Sequence, residues 1–319
     1  MALPDFLVAG VPKAGTTALH AALARHPQLY LSPVKEPKYF LSDGPPPRRG
    51  GPGDAQTYQE HVWRRAEYER LFEPAPPGAL RGEATPFYLH DRAAHRRIHR
   101  LVPDVKIILL LRDPVDRAHS NWTHLWTAGL EREADFLTAC RLQDRRKAAG
   151  WAPFWHYLDL GRYGAQLRHL YRYFDRDQVL LMRYMELHRA PAAALDRVCA
   201  FLGVDTGVLT LVPAENVTRT VADTRFNAAL RFLLRTGGRF GQHFPPSTRT
   251  VFRDPLLAAL WRDHGRRVPL RPADRAALLP EFADDIALLQ EITGQSYQDW
   301  LDAERHANPP AAIRQPTIR

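Results

Sequence analysis

Gly10-Val11-Pro12-Lys13-Ala14-Gly15-Thr16-Thr17 follows the apolar run Phe6-Leu7-Val8-Ala9, and its reading decides the fold. Two glycines bracket four residues at a strand-to-helix turn, the outline of a loop whose backbone N–H groups wrap a phosphate. A nucleoside-triphosphate loop carries Lys directly after the second glycine. Here Thr16 stands there, and the lysine, Lys13, lies inside the loop. That lysine meets an anion away from where a triphosphate puts its terminal phosphates. Thr17 to His26 reads as the following helix, with Leu19 and Leu23 on one buried face and the positive dipole end towards the anion. Thr16 and Thr17 add hydroxyl donors. The spacing alone also fits an ordinary turn beside a core strand; the strand before and the helix after favour an anion cradle.

Working outward, strands are expected at Phe6–Ala9, Gln28–Leu31, Leu80–Glu83, Val105–Arg112 and Val179–Arg183. The run Val105 to Leu111 is nearly all apolar, the mark of a strand buried on both faces of a parallel sheet. Helical patterns at Arg92–Leu101, Pro114–Trp126 and Ala190–Leu202 alternate with the strands. The fold class is therefore α/β, a P-loop-containing, doubly wound parallel sheet with helices on both faces. Ligands of such sheets sit beyond the carboxyl ends of the strands, where the loop at 10–16 also falls. We expect one domain over residues 1–308 with insertions on the substrate side, and a disordered tail over 309–319. Ser42–Ala55, rich in Pro and Gly, reads as a mobile surface loop, and Phe240–Val251 as another irregular stretch.

The buried strand ends in Leu111-Arg112-Asp113-Pro114, and Ser120 follows Arg112 by eight residues, about two helical turns into the next element. A guanidinium at a strand end and a hydroxyl from the following helix suit a second phosphate. The bland alternative pairs Arg112 with Asp113 or Asp116 and leaves Ser120 as helix filler.

A chain of 319 residues with 45% hydrophobic content buries a substantial core. No apolar run approaches a membrane span, and the start runs into a strand without a signal-peptide core, so cytoplasmic residence is the expectation. Cys140 and Cys199 lack metal-ligand spacing and read as reduced, structural thiols. The net charge of +9 is spread along the chain without a basic tail, which argues against a nucleic-acid partner.

With both anion elements in view, the chain resembles the sulfotransferases that use 3′-phosphoadenosine 5′-phosphosulfate. The resemblance implies that Lys13, Ala14, Gly15, Thr16 and Thr17 hold the 5′-phosphosulfate, and that Arg112 and Ser120 hold the 3′-phosphate. It extends to Gly82-Glu83-Ala84-Thr85-Pro86 after the third strand, to Gly161-Arg162-Tyr163 before a long helix, and to Gly294 with Trp300-Leu301. It is closest to the bacterial branch and to the glycan N- and 3-O-sulfotransferase domains, through Lys35-Glu36-Pro37-Lys38-Tyr39-Phe40. The base of those domains maps onto Glu36. Two features depart from the pattern: Ala84 stands where the glycan enzymes have Lys, and the late cofactor-covering loop is matched only by Asn216-Val217-Thr218-Arg219, with Arg219 as the donor.

The chemistry implied is in-line sulfuryl transfer to a hydroxyl or amine of a glycan, lipid or secondary metabolite, releasing 3′,5′-adenosine bisphosphate. Lys13 neutralises charge on the leaving group, Glu36 takes the acceptor proton, and Glu83 is the competing base; no metal is required. The alternative enzyme is a P-loop nucleotide or small-molecule kinase. Thr16 in the lysine slot and the lack of a metal-binding Asp after an apolar strand stand against it. A third possibility is a non-catalytic binder of anionic polymers.

Several other residues read two ways. His95 and His99 have a metal-compatible spacing but sit among arginines, as on a solvated basic face. The run Trp151 to Tyr157, with His156, suits either an acceptor pocket or core. Trp122 and Trp126 read as core, and Tyr184 as a neighbour of the adenine.

Overall fold

The computed structural model describes residues 2–54, 61–213, 230, 255–256 and 269–304. Phe6–Gly10 forms β1 and Lys106–Leu111 forms β4; from Ile107 to Leu111, and along β1, the side chains are buried. Successive side chains of a strand point to opposite faces, so burial of every one means that both faces of the sheet are covered. The remaining strands are β2 (Leu29–Leu31), β3 (Leu80–Ala84) and β5 (Val179–Arg183). All pairings are parallel and the order is β2-β3-β1-β4-β5. The five expected strands are all present, within a residue of the expected limits.

The helices are α1 (Thr16–Leu23), α2 (Arg65–Arg70), α3 (Arg92–Leu101), α4 (Pro114–Thr127), α5 (Phe136–Arg141) and α6 (Gln143–Ala148). They continue as α7 (Tyr163–Leu170), α8 (Tyr184–Arg189), α9 (Pro191–Leu202), α10 (Pro272–Leu278) and α11 (Pro280–Thr293). From β1 the chain passes through α1 to β2 on one side of the sheet, whereas from β4 it proceeds to β5 on the other. The crevice beyond β1 and β4 is therefore the switch point of the topology, the place where such sheets bind ligands. Gly82 of β3 lies opposite Phe6 of β1, and a Cβ there would stand 2.2 Å from the Phe6 ring; only glycine lets that ring lie across the strand.

Some local expectations change. α1 starts at Thr16 rather than Thr17 and stops at Leu23; His26 leaves the helix, and its Nε2 bonds the Asp205 carbonyl at 2.9 Å. The helix after Gly161-Arg162-Tyr163 is two turns, not long, and its first amides donate to the Asp285 carboxylate of α11. The loop from Ser42 is pinned at its far end: Asp54 is buried and accepts from the Gly51 and Ala152 amides and the Trp155 indole. His95 is fully buried, bonded to the Leu89 carbonyl and to His169, because the face of α3 carrying it packs against α7; only His99 keeps to the expected exposed face. Cys140 and Cys199 are buried free thiols, and burial pushes Cys140 up to about 12. The segments 216–219, 240–251 and 309–319 lie outside the described residues, and Arg219 with them.

Candidate functional site

The loop after β1 turns by placing Lys13 and Gly15 in left-handed backbone, at φ +70° and +87°. Its start is held by the Val11 amide donating to Leu110 at the end of β4, at 3.0 Å. Gly15 is needed twice over, for its φ and because a Cβ would meet the Tyr184 ring at 3.3 Å. Gly15 caps α1 with no side-chain hydrogen bond, so the first amides of the helix stay open to an anion. Thr16 is buried at that turn and Thr17 half-buried.

Arg112 comes to this loop directly. Its Nη1 donates to the Lys13 carbonyl at 3.0 Å, and its guanidinium lies over the Tyr184 ring at 4.8 Å. Tyr184 begins α8 rather than ending a strand, which seats its ring between Arg112 and Gly15. The carboxylates weighed as partners of Arg112 turn elsewhere: Arg275 of α10 takes Asp113 at 2.6 Å and approaches Asp116 at 3.5 Å. Asp113 also caps α4 by accepting from the Val115 and Asp116 amides. Ser120, inside α4, is buried. A cleft bounded by Arg112, Asp116, Arg183, Tyr184 and Trp300 opens beside these groups.

The two candidate bases have opposite surroundings. Glu83, at the end of β3, is fully buried and accepts hydroxyl bonds from Tyr68 at 3.0 Å, Tyr88 at 2.6 Å and Thr85 at 2.8 Å. Burial pushes its carboxyl up to about 7, against the pull of those hydroxyls and with a further push from Glu36. Glu36 is partly exposed, with Lys35 Nζ 2.6 Å from its Oε1. Lys38, two residues beyond Glu36, is buried.

A residue the sequence reading missed lies within reach of the Lys13 charge. His124, on α4, keeps part of its surface exposed, while desolvation of its ring, joined by the Lys13 charge, lowers it to about 3. It is neutral at pH 7 and open to a ligand. Its ring stands 5.6 Å from Phe154, which meets Phe87 edge-on at 5.7 Å. The spacing of His124 four residues beyond Ser120 was the available signal. The aromatic run divides: Trp155 and Tyr157 are core, whereas Phe154 and Trp151 are half-buried. Trp122 is core and stacks on the half-buried Trp126. Among the described residues no group of three or more His, Cys, Asp or Glu is arranged to hold a metal, and no helix is long and apolar enough to cross a membrane.

The sulfotransferase domain family matches residues 82–232. The chain is 31% identical over 203 residues to human heparan sulfate glucosamine 3-O-sulfotransferase 3B1, which covers 63% of this chain and 46% of that protein. It is 30% identical over 290 residues to mouse bifunctional heparan sulfate N-deacetylase/N-sulfotransferase 4, covering 82% of this chain and 29% of the relative. The chain thus spans about half or less of the length of the curated relatives it matches. The crystal structure of a sulfotransferase from Alicyclobacillus acidocaldarius superposes with a TM-score of 0.73 at 27% identity, over 95% of this chain and 100% of that one. With a loop after β1 that lacks the triphosphate lysine, an arginine bonded to that loop, and these relatives, the chain carries a domain of the sulfotransferase family, matched over residues 82–232.

Proposed function

We propose that this chain transfers a sulfuryl group from 3′-phosphoadenosine 5′-phosphosulfate to a hydroxyl or amine of a glycan or small-molecule acceptor, without a metal ion. The observation that carries the reading is the bond from Arg112 to the Lys13 carbonyl, which joins the two anion-binding elements. The open amides of α1 and the guanidinium of Arg112 offer donors to a nucleotide with phosphates at both ends. The bound donor supplies the sulfuryl group and a phosphate leaving group. Lys13, inside the loop, faces the developing negative charge, and Arg112 with Ser120 holds the far phosphate. Glu36 takes the acceptor proton, its accessibility setting it apart from the enclosed Glu83. His124 donates or accepts a hydrogen bond at the acceptor, and the Phe87–Phe154 pair gives an apolar wall suited to a sugar face. Residues 1–308 act as one domain in this reading, because Arg275 and Asp285 tie the late helices to α4 and α7.

The test is calorimetry with 3′,5′-adenosine bisphosphate, then transfer of label from ³⁵S-donor to a heparan-type oligosaccharide in EDTA. Tight nucleotide binding and transfer abolished by Glu36→Gln are expected. Magnesium-dependent ATP hydrolysis without sulfuryl transfer refutes the reading. Full turnover in Glu36→Gln with none in Glu83→Gln reverses the base.

A further inference from the structure

Glu36 and Lys38 both hold left-handed backbone, at φ +61° and +62°, with Pro37 between them. Residues with a Cβ resist that conformation, so surrounding bonds must impose it. The end of β3 supplies two. The Glu36 amide donates to the Ala84 carbonyl at 3.1 Å, and the Lys38 amide donates to Thr85 Oγ1 at 3.2 Å. On its other side the Lys38 carbonyl is bonded to His61 Nε2.

A hydroxyl accepts an amide hydrogen well only when its own hydrogen points away. Thr85 meets that condition because its hydroxyl donates to Glu83 Oε2 at 2.8 Å, an oxygen that only accepts once the carboxyl has lost its proton. The other oxygen, Oε1, is taken by the Tyr68 and Tyr88 phenols, and the residue has no exposed surface through which to reach an acceptor. The interactions of Glu83 are directed at its own surroundings.

We infer that Glu83 is a positioning residue: its carboxylate orients the Thr85 hydroxyl, which clamps the Lys38 amide and so sets the turn that presents Glu36. The kinetic consequence rests on the sulfuryl-transfer reading; the structural consequence does not. A base displaced by a fraction of an ångström loses rate while ligand affinity stays, since only the reacting geometry changes.

The experiment compares wild type with Thr85→Val, Thr85→Ser and Glu83→Gln. Three readouts are taken: amide hydrogen exchange at 36–38 and at 107–111, calorimetric Kd for 3′,5′-adenosine bisphosphate, and kcat with KM for ³⁵S transfer to the heparan-type oligosaccharide. Thr85→Val and Glu83→Gln are expected to speed Lys38 exchange at least tenfold, with β4 exchange and nucleotide Kd within twofold. Their kcat falls ten- to a hundredfold with KM unchanged, and Thr85→Ser restores both. Unchanged Lys38 exchange in Thr85→Val overturns the inference. So does equal acceleration in β4, which means general loosening, or a Thr85→Ser as impaired as Thr85→Val. If Glu83→Gln does not fold, Thr85→Val and Thr85→Ser decide the matter. If Lys38 exchange responds but wild type transfers no sulfur, the positioning role stands and the proposed reaction falls.

Discussion

Removing the Asp113 carboxylate tests how the cofactor side is held together. Asp113 and Arg275 are 3% and 1% exposed, and they meet through two bonds, Nη2 to Oδ2 at 2.6 Å and Nη1 to Oδ1 at 3.2 Å. Asp113→Ala strands a buried guanidinium, which costs about 3–5 kcal/mol, and removes a helix cap worth about 1 kcal/mol. Asp116, 3.5 Å from Arg275, and the Trp300 and Asp302 carbonyls soften the loss. We expect about 3–4 kcal/mol. Arg275→Met leaves a carboxylate still served by the Val115 and Asp116 amides, so about 2–3 kcal/mol is expected. Asp113→Asn with Arg275→Met keeps a cap and strands no charge, and should cost less than Asp113→Ala alone. Urea denaturation of Asp113→Asn, Arg275→Met and the double variant measures the coupling, expected at about 2 kcal/mol. Additivity within about 0.5 kcal/mol refutes the argument that the pair is one buried unit. Because Arg112 precedes Asp113, the single variants should also weaken calorimetric binding of 3′,5′-adenosine bisphosphate.

Arg112→Ala removes a charge-assisted phosphate contact and should raise the Kd for that nucleotide by about 30- to 100-fold, with Arg112→Lys intermediate by calorimetry. Gly82→Ala drives a Cβ to 2.2 Å from the Phe6 ring and should lower stability in urea by about 2–3 kcal/mol or more; Phe6→Leu in the same chain should recover part. Folded Glu83 holds its proton to about 7 against 4.5 unfolded, so its contribution is fully present below 4.5 and is lost as pH rises through 7. That loss, about 3 kcal/mol, should vanish from the stability-against-pH curve of Glu83→Gln; parallel curves for the two proteins contradict the buried ionisation. The His124 ring, lowered to about 3 by burial and Lys13, should stay neutral in an NMR titration down to pH 5, and a midpoint near 6.5 refutes its placement beside Lys13.

The strands and the turn after β1 were legible because their signals are local. An all-apolar run such as Ile107 to Leu111 has one stable use, a strand covered on both faces, and Arg112 must leave it at the carboxyl end whatever follows. The loop was readable for the same reason, since Lys13, Gly15 and Thr16 act through their own turn. His95 was misread because its burial is decided by α7, more than sixty residues further on. His124 was overlooked because its pattern within α4 says nothing of Lys13.

Sequence alone determined the parallel α/β sheet and the tight glycine-bearing turn after its first strand, since periodicity and glycine placement act over a few residues. The tertiary structure decided which acidic groups face solvent and which are enclosed. Glu36 and Glu83 both follow strands and look alike in the chain. Only the packing of Tyr68 and Tyr88 around one of them, from a helix and a loop distant in sequence or turned back on the strand, separates an exposed carboxylate from a buried one. Solvation, which sets what a carboxylate can do, is a property of neighbours in space.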